Sequence, residues 1–156
     1  MKRATIALAS LAFLFMLSAG LSVAQEKATR EECVAKVKEA AALIKEVGFE
    51  AAKARLEDPN SAFKWKDSYI FVEDLDENML VNLGSPKLVG KSVRGIKDLN
   101  GKMFNAEMLQ AATTTGEGWV TYMWPKPGEK EPSAKVSYIY RVPGENFFVG
   151  AGIYEQ

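Results

Sequence analysis

The sequence predicts an α+β domain, with an antiparallel sheet of about five strands and one long helix at its N-terminal end. Three observations point there. Apolar residues recur at helical spacing between Thr29 and Gly48. Short β-branched and aromatic runs follow, notably Tyr69-Ile70-Phe71-Val72 and three more near the C-terminus. The links between those last three runs are brief and rich in glycine and proline, which favours antiparallel neighbours.

The elements follow in order. Thr29-Arg30-Glu31-Glu32 has the form of a capping box, and Val34, Val37, Ala41 and Ile44 continue from it as a stripe. Gly48 can end this helix in a left-handed conformation, and 49–56 suits a second, shorter one. Asp58-Pro59-Asn60-Ser61 is a turn. The strand at 69–72 turns through Leu75-Asp76-Glu77-Asn78 and returns over 79–83. Residues 84–101 form a long loop punctuated by glycines, and loops of that length often belong to a binding site. A helix over 104–114 precedes the three final strands at 119–124, 136–142 and 147–154. No internal repeat or low-complexity tract interrupts this order.

The first residues have a different character. Met1-Lys2-Arg3 is a basic head, and the 21 residues from Ala4 to Ala24 carry no charge. Small residues in Ser22-Val23-Ala24 occupy the positions a signal peptidase reads, so 1–24 is predicted to be a leader and 25–156 the mature domain, periplasmic or secreted. The competing reading is an uncleaved anchor, since about 20 residues span a bilayer. Ser10, Ser18, Gly20 and Ser22 dilute that run. Losing Lys2 and Arg3 leaves 18 basic against 20 acidic side chains, a net charge of −2. Such a balance gives no electrostatic basis for nucleic-acid binding.

Composition narrows the chemistry. The chain has 0 histidines, which excludes imidazole general bases, Ser-His-Asp triads and histidine metal sites. Its 1 cysteine, Cys33, can form no internal disulfide and reads as a small apolar residue of the first helix. The acidic run 73–77 fails as a calcium loop: counted from Asp74, the sixth and twelfth positions are Met79 and Ser85, not glycine and glutamate. The glycines of 84–101 lack phosphate-loop spacing, and nothing brings Glu107 and Glu117 together as a carboxylate pair. No metal or cofactor is expected, and enzymatic activity is the least favoured class.

A binding site is better supported. Gly116-Glu117-Gly118-Trp119-Val120-Thr121-Tyr122-Met123-Trp124 places three aromatics in six residues, and Lys126 follows between Pro125 and Pro127. Strand alternation sets Val120, Tyr122 and Trp124 on one face, and pairing with the next strand is predicted to add Tyr138 and Tyr140 to it. Tyrosine and tryptophan bring polar groups that a plain core has no use for. With Lys126 and Lys135 close by, apolar walls, hydroxyls and one cation suit a small carboxylate. Lys135 and Tyr138 have opposite parity in a regular strand, so both converge only at a bulge or strand edge.

These residues also carry a family resemblance. Tyr69-Ile70-Phe71-Val72-Glu73-Asp74-Leu75-Asp76, Leu88-Val89-Gly90-Lys91, Asp98-Leu99-Asn100-Gly101-Lys102 and Gly116–Tyr122 resemble a single Cache domain of the second type, as do Trp124-Pro125-Lys126-Pro127-Gly128, Lys135-Val136-Ser137-Tyr138 and Gly150-Ala151-Gly152-Ile153-Tyr154. The resemblance implies a PAS-like fold and an extracytoplasmic sensor that binds small molecules, commonly short organic acids, between sheet and long loop. Family sensors continue into a chemoreceptor, kinase or cyclase; this sequence ends at Gln156. The family often has tryptophan where Phe71 stands and His-Pro where Asn82-Leu83 stand. On this footing Lys126 or Lys135 pairs with the carboxylate, Tyr122 and Tyr138 hydrogen-bond it, Trp124 and Phe71 wall the site, and Arg94 reaches it from the loop. The alternative is an interaction domain that docks on a membrane sensor or forms a homodimer through its N-terminal helix.

Overall fold

The computed structural model describes residues 26–155; the expected leader, 1–24, lies outside them. The chain runs through α1 (Arg30–Val47), α2 (Phe49–Leu56), β1 (Lys64–Trp65), β2 (Ser68–Asp74), β3 (Met79–Asn82), a 3-10 turn (Pro86–Leu88), α3 (Phe104–Thr114), β4 (Glu117–Pro125), β5 (Pro132–Arg141) and β6 (Phe147–Tyr154). Among the described residues no helix is long and apolar enough to cross a membrane.

The capping box forms as its residues predict. Thr29 Oγ1 accepts from the Glu32 amide at 3.2 Å, and Glu32 Oε2 accepts from the Thr29 amide at 2.9 Å. Cys33, Val37, Ala40, Ala41 and Ile44 are the buried stripe, and Gly48 ends the helix at φ 82°. Cys33 is packed inside at 0% exposure, its thiol pushed up to about 11, chiefly by burial. Replacing Thr29 by alanine is expected to cost about 1 kcal/mol, measured by denaturant unfolding. An unchanged midpoint would show that the box contributes nothing here.

The sheet has six strands, one more than the pattern suggests, in the order β1-β2-β6-β5-β4, with β3 also paired to β2. The extra strand, β1, spans 2 residues, too few to leave a periodic signal. Every pairing is antiparallel. β2 and β6, far apart in sequence, lie side by side at the centre and are buried along almost their whole length. One face, carrying Ile70, Val72, Tyr138, Val149 and Ala151, packs under α1 and α2. The other, carrying Phe71, Met79, Tyr122, Ile139 and Phe148, packs under α3.

The segment between β3 and α3 is a tied loop that closes over this second face. The Asp98 carboxylate accepts from the amides of Asn100, Lys102 and, across to the edge strand β4, Met123 at 2.9 Å. These amides, that of Met123 foremost, hold its carboxyl below the usual range. Lys102 Nζ donates to the Thr121 carbonyl at 2.5 Å. Asn105 Nδ2 donates to the Val93 carbonyl at 3.0 Å, which ties the start of α3 to the loop.

Candidate functional site

Between the α3 face of the sheet, α3 and the long loop lies a narrow cleft of about 20 Å³, room for one or two waters as it stands. Tyr69 and Phe71 enter it from β2, Tyr122 and Trp124 from β4, and Phe104 and Met108 from α3. Leu88, Val93 and Ile96 of the loop form the apolar side opposite the sheet. Asn82 and Asn105 add two amides, so the wall holds no charged group. Phe104 stacks on Tyr122, ring centroids 4.3 Å apart and 6° from parallel, and meets Trp124 edge-on at 5.5 Å.

The cation stands behind that wall. Register pairs Lys135 with Tyr122 on one side and Tyr154 on the other, so all three share the α3 face. Lys135 is 1% exposed. Its Nζ donates to the Tyr69 hydroxyl at 2.9 Å and lies 4.1, 5.1 and 5.9 Å from the ring centroids of Tyr69, Tyr154 and Tyr122. Among the described residues its ammonium forms no ion pair. Burial works against the charge, but the phenols of Tyr122, Tyr69 and Tyr154 outweigh it and hold the Lys135 pKa above its ordinary 10.5. Tyr122 shares a hydrogen bond with Ser137 Oγ at 3.0 Å, and Tyr154 donates to the Pro125 carbonyl at 2.7 Å.

Two glycines make this packing fit. A Cβ on Gly84 would lie 2.2 Å from the Tyr69 ring, and one on Gly150 would lie 2.3 Å from the ring of Phe71. Aromatic side chains have taken the space a methyl would fill.

The structure brings together Phe71, Tyr122 and Trp124 in the cleft wall, with Lys135 behind them. It does not bring Tyr138 there, a correction to the expected aromatic face. β4 and β5 pair without a bulge, Trp119 opposite Tyr138, so Tyr138 and Tyr140 point to the opposite side from Tyr122. Tyr138 packs at 5.3 Å from Trp119, and its phenol donates to Glu117. Arg94 is 67% exposed and pairs through Nε with Glu77 Oε2 at 2.8 Å, away from the cleft wall. Lys126 lines a neighbouring groove with Lys87, Leu88 and Trp124, its Nζ 6.0 Å from the Tyr154 ring. Sequence reasoning overlooked Tyr69, Ser137 and Tyr154. Parity was the available signal: Tyr69 shares a strand face with Phe71, and Ser137 with Lys135.

This is a PAS-like α+β architecture, an antiparallel sheet with helices packed on both faces. The family model for the Cache domain, dCache_2, matches residues 27–156, and the chain belongs to that family. A solved structure described as carboxylic acid recognition by a Cache chemosensory domain is similar, with a TM-score of 0.72 at 26% identity over 81% of this chain and 92% of its own. A periplasmic sensor domain of a chemotaxis protein gives 0.64 at 27% identity, over 81% and 90%. The methyl-accepting chemotaxis protein McpP of Pseudomonas putida is 36% identical over 88 residues, 56% of this chain. That stretch is 16% of the length of McpP, so the chain matches a small part of the receptor.

Proposed function

We propose that this Cache domain is a non-enzymatic sensor module that takes a short monocarboxylate into the cleft between sheet and α3. The observation that carries the reading is Lys135, a buried ammonium with no carboxylate partner among the described residues. Buried charges are normally paired, so a buried cation that has phenols but no anion beside it, next to a cleft, is a place for an anion. The wall favours one carboxylate and a small apolar tail. It offers no second cation for a dicarboxylate and no acid for an amino acid's ammonium. The solved relative concerned with carboxylic acid recognition supports the same class.

The module works outside the cytoplasm, exported by a leader cleaved after Ala24, and passes occupancy to a membrane receptor or kinase. The McpP relative and the periplasmic sensor domain support that setting.

A thermal-shift panel of C2 to C4 acids tests the reading. At 100-fold excess over Kd, binding adds about 2.7 kcal/mol, a rise of roughly 5 °C or more for a domain of this size. Acetate, propionate or butyrate should raise Tm with concentration, while succinate and amino acids should not. No rise with any acid would reject the reading, and a stable dimer in the same sample would favour the docking alternative.

A further inference from the structure

The ammonium that attracts the anion lies behind the cleft wall, with Tyr69 and Tyr122 in front of it. We propose that Lys135 acts on the ligand as a positioning residue through Tyr69, whose hydroxyl accepts a hydrogen bond from the ammonium and presents its own proton to the carboxylate. The proposal rests on the carboxylate reading above and goes on to say how the charge is delivered.

An ammonium has donors and no acceptor, so in the 2.9 Å contact the Tyr69 oxygen must be the acceptor. Its hydrogen therefore turns away from Lys135. The other two phenols near the amine are already engaged: Tyr154 donates to the Pro125 carbonyl, and Tyr122 is bonded to Ser137. Tyr69 forms part of the cleft wall, whereas Lys135 does not. A phenol polarised by a cation in a dry site is a stronger donor than a free one.

The pair is also held in place. The ring of Tyr69 fills the space beside Gly84, where a Cβ would lie 2.2 Å away. The stem of Lys135 fills the space beside Gly152, where a Cβ would lie 2.7 Å from Cε. Two glycines on different elements thus leave room for one tyrosine and one lysine. A donor fixed this firmly suffers little reorganisation when an anion arrives.

The test is calorimetric titration of the wild-type chain, Tyr69→Phe, Lys135→Met and the double variant with propionate and its neutral isostere propionamide. Tyr69→Phe loses one oxygen and keeps the ring against Gly84, so it should melt near wild type. Each single change should weaken propionate binding about 10- to 100-fold. Each should lower the preference for propionate over propionamide, which a general loosening of the cleft would leave unchanged. The double variant should bind propionate no more weakly than the worse single variant, because the two residues act as one unit. Wild-type affinity in Tyr69→Phe, or losses that multiply in the double variant, would overturn the relay alone. A wild-type chain that binds none of the C2 to C4 acids would overturn the carboxylate reading, and the relay with it.

Discussion

Glu73→Gln is expected to stabilise the domain at neutral and alkaline pH and to leave it unchanged below pH 4.5. Glu73 sits on β2 at a register shift, opposite Met79 and beside Phe148 on the α3 face. It is 0% exposed, and neither carboxyl oxygen has a hydrogen-bond partner among the described residues. Burial first, then the nearby carboxylates of Glu77 and Asp74, push its pKa from 4.5 up to about 8. Glu77 is partly offset by Arg94, and Asp74 is bonded to Asn78. The folded chain therefore keeps a proton that the unfolded chain has lost. Stability falls as pH rises from 4.5 to about 8, then levels off. The penalty is about 3 kcal/mol at pH 7 and about 5 kcal/mol above pH 8. Glutamine has the same shape and cannot ionise, so its profile should lose that slope. Urea unfolding of both proteins from pH 5 to pH 9 measures it. Parallel profiles would mean that Glu73 ionises as it would in water.

Gly152→Ala should damage stability and ligand response together. A Cβ there would meet Ser137 Oγ at 2.3 Å, Lys135 Cε at 2.7 Å and the Val136 carbonyl oxygen at 2.8 Å. The side chains could shift, but the carbonyl belongs to the neighbouring strand β5, so the sheet itself must give. Overpacking of that kind costs about 3 kcal/mol. The Lys135 stem would be displaced, so the remaining folded protein should lose its thermal shift with propionate. Gly128→Ala is the control. It has a φ of 83° and nothing within 4 Å of the added methyl, so it should cost about 1 kcal/mol of backbone strain and leave binding alone. A Gly152→Ala protein with wild-type melting temperature and ligand response would refute this account of the glycine.

How much of the site could be read beforehand depended on the range of the interaction. Tyr122 and Trp124 were legible because alternation along a strand is local and their strand carried its own apolar signature, whereas Phe71 entered through the family resemblance. The parity conflict between Lys135 and Tyr138 was legible for the same reason, and the regular β4–β5 ladder resolves it in favour of Lys135. Tyr138 was misplaced because alternation tells which residues share a face within a strand, not which face of its neighbour that set joins. One residue of register decides this, and register comes from the whole ladder. Lys126 was chosen for charge beside an aromatic run and Arg94 for its place in the long loop, yet one lies in the neighbouring groove and the other pairs with Glu77.

The amino-acid sequence by itself determined the helices, the run of long strands and the capping box at Thr29, since each depends on residues within a few positions of one another, and its lack of histidine excluded imidazole chemistry. Only the tertiary structure decided that β2 lies against β6, that Tyr69 reaches Lys135 across the sheet and that Glu73 is sealed without a partner among the described residues. Those facts join segments tens of residues apart. Burial and charge compensation arise from such meetings, and no local pattern records them.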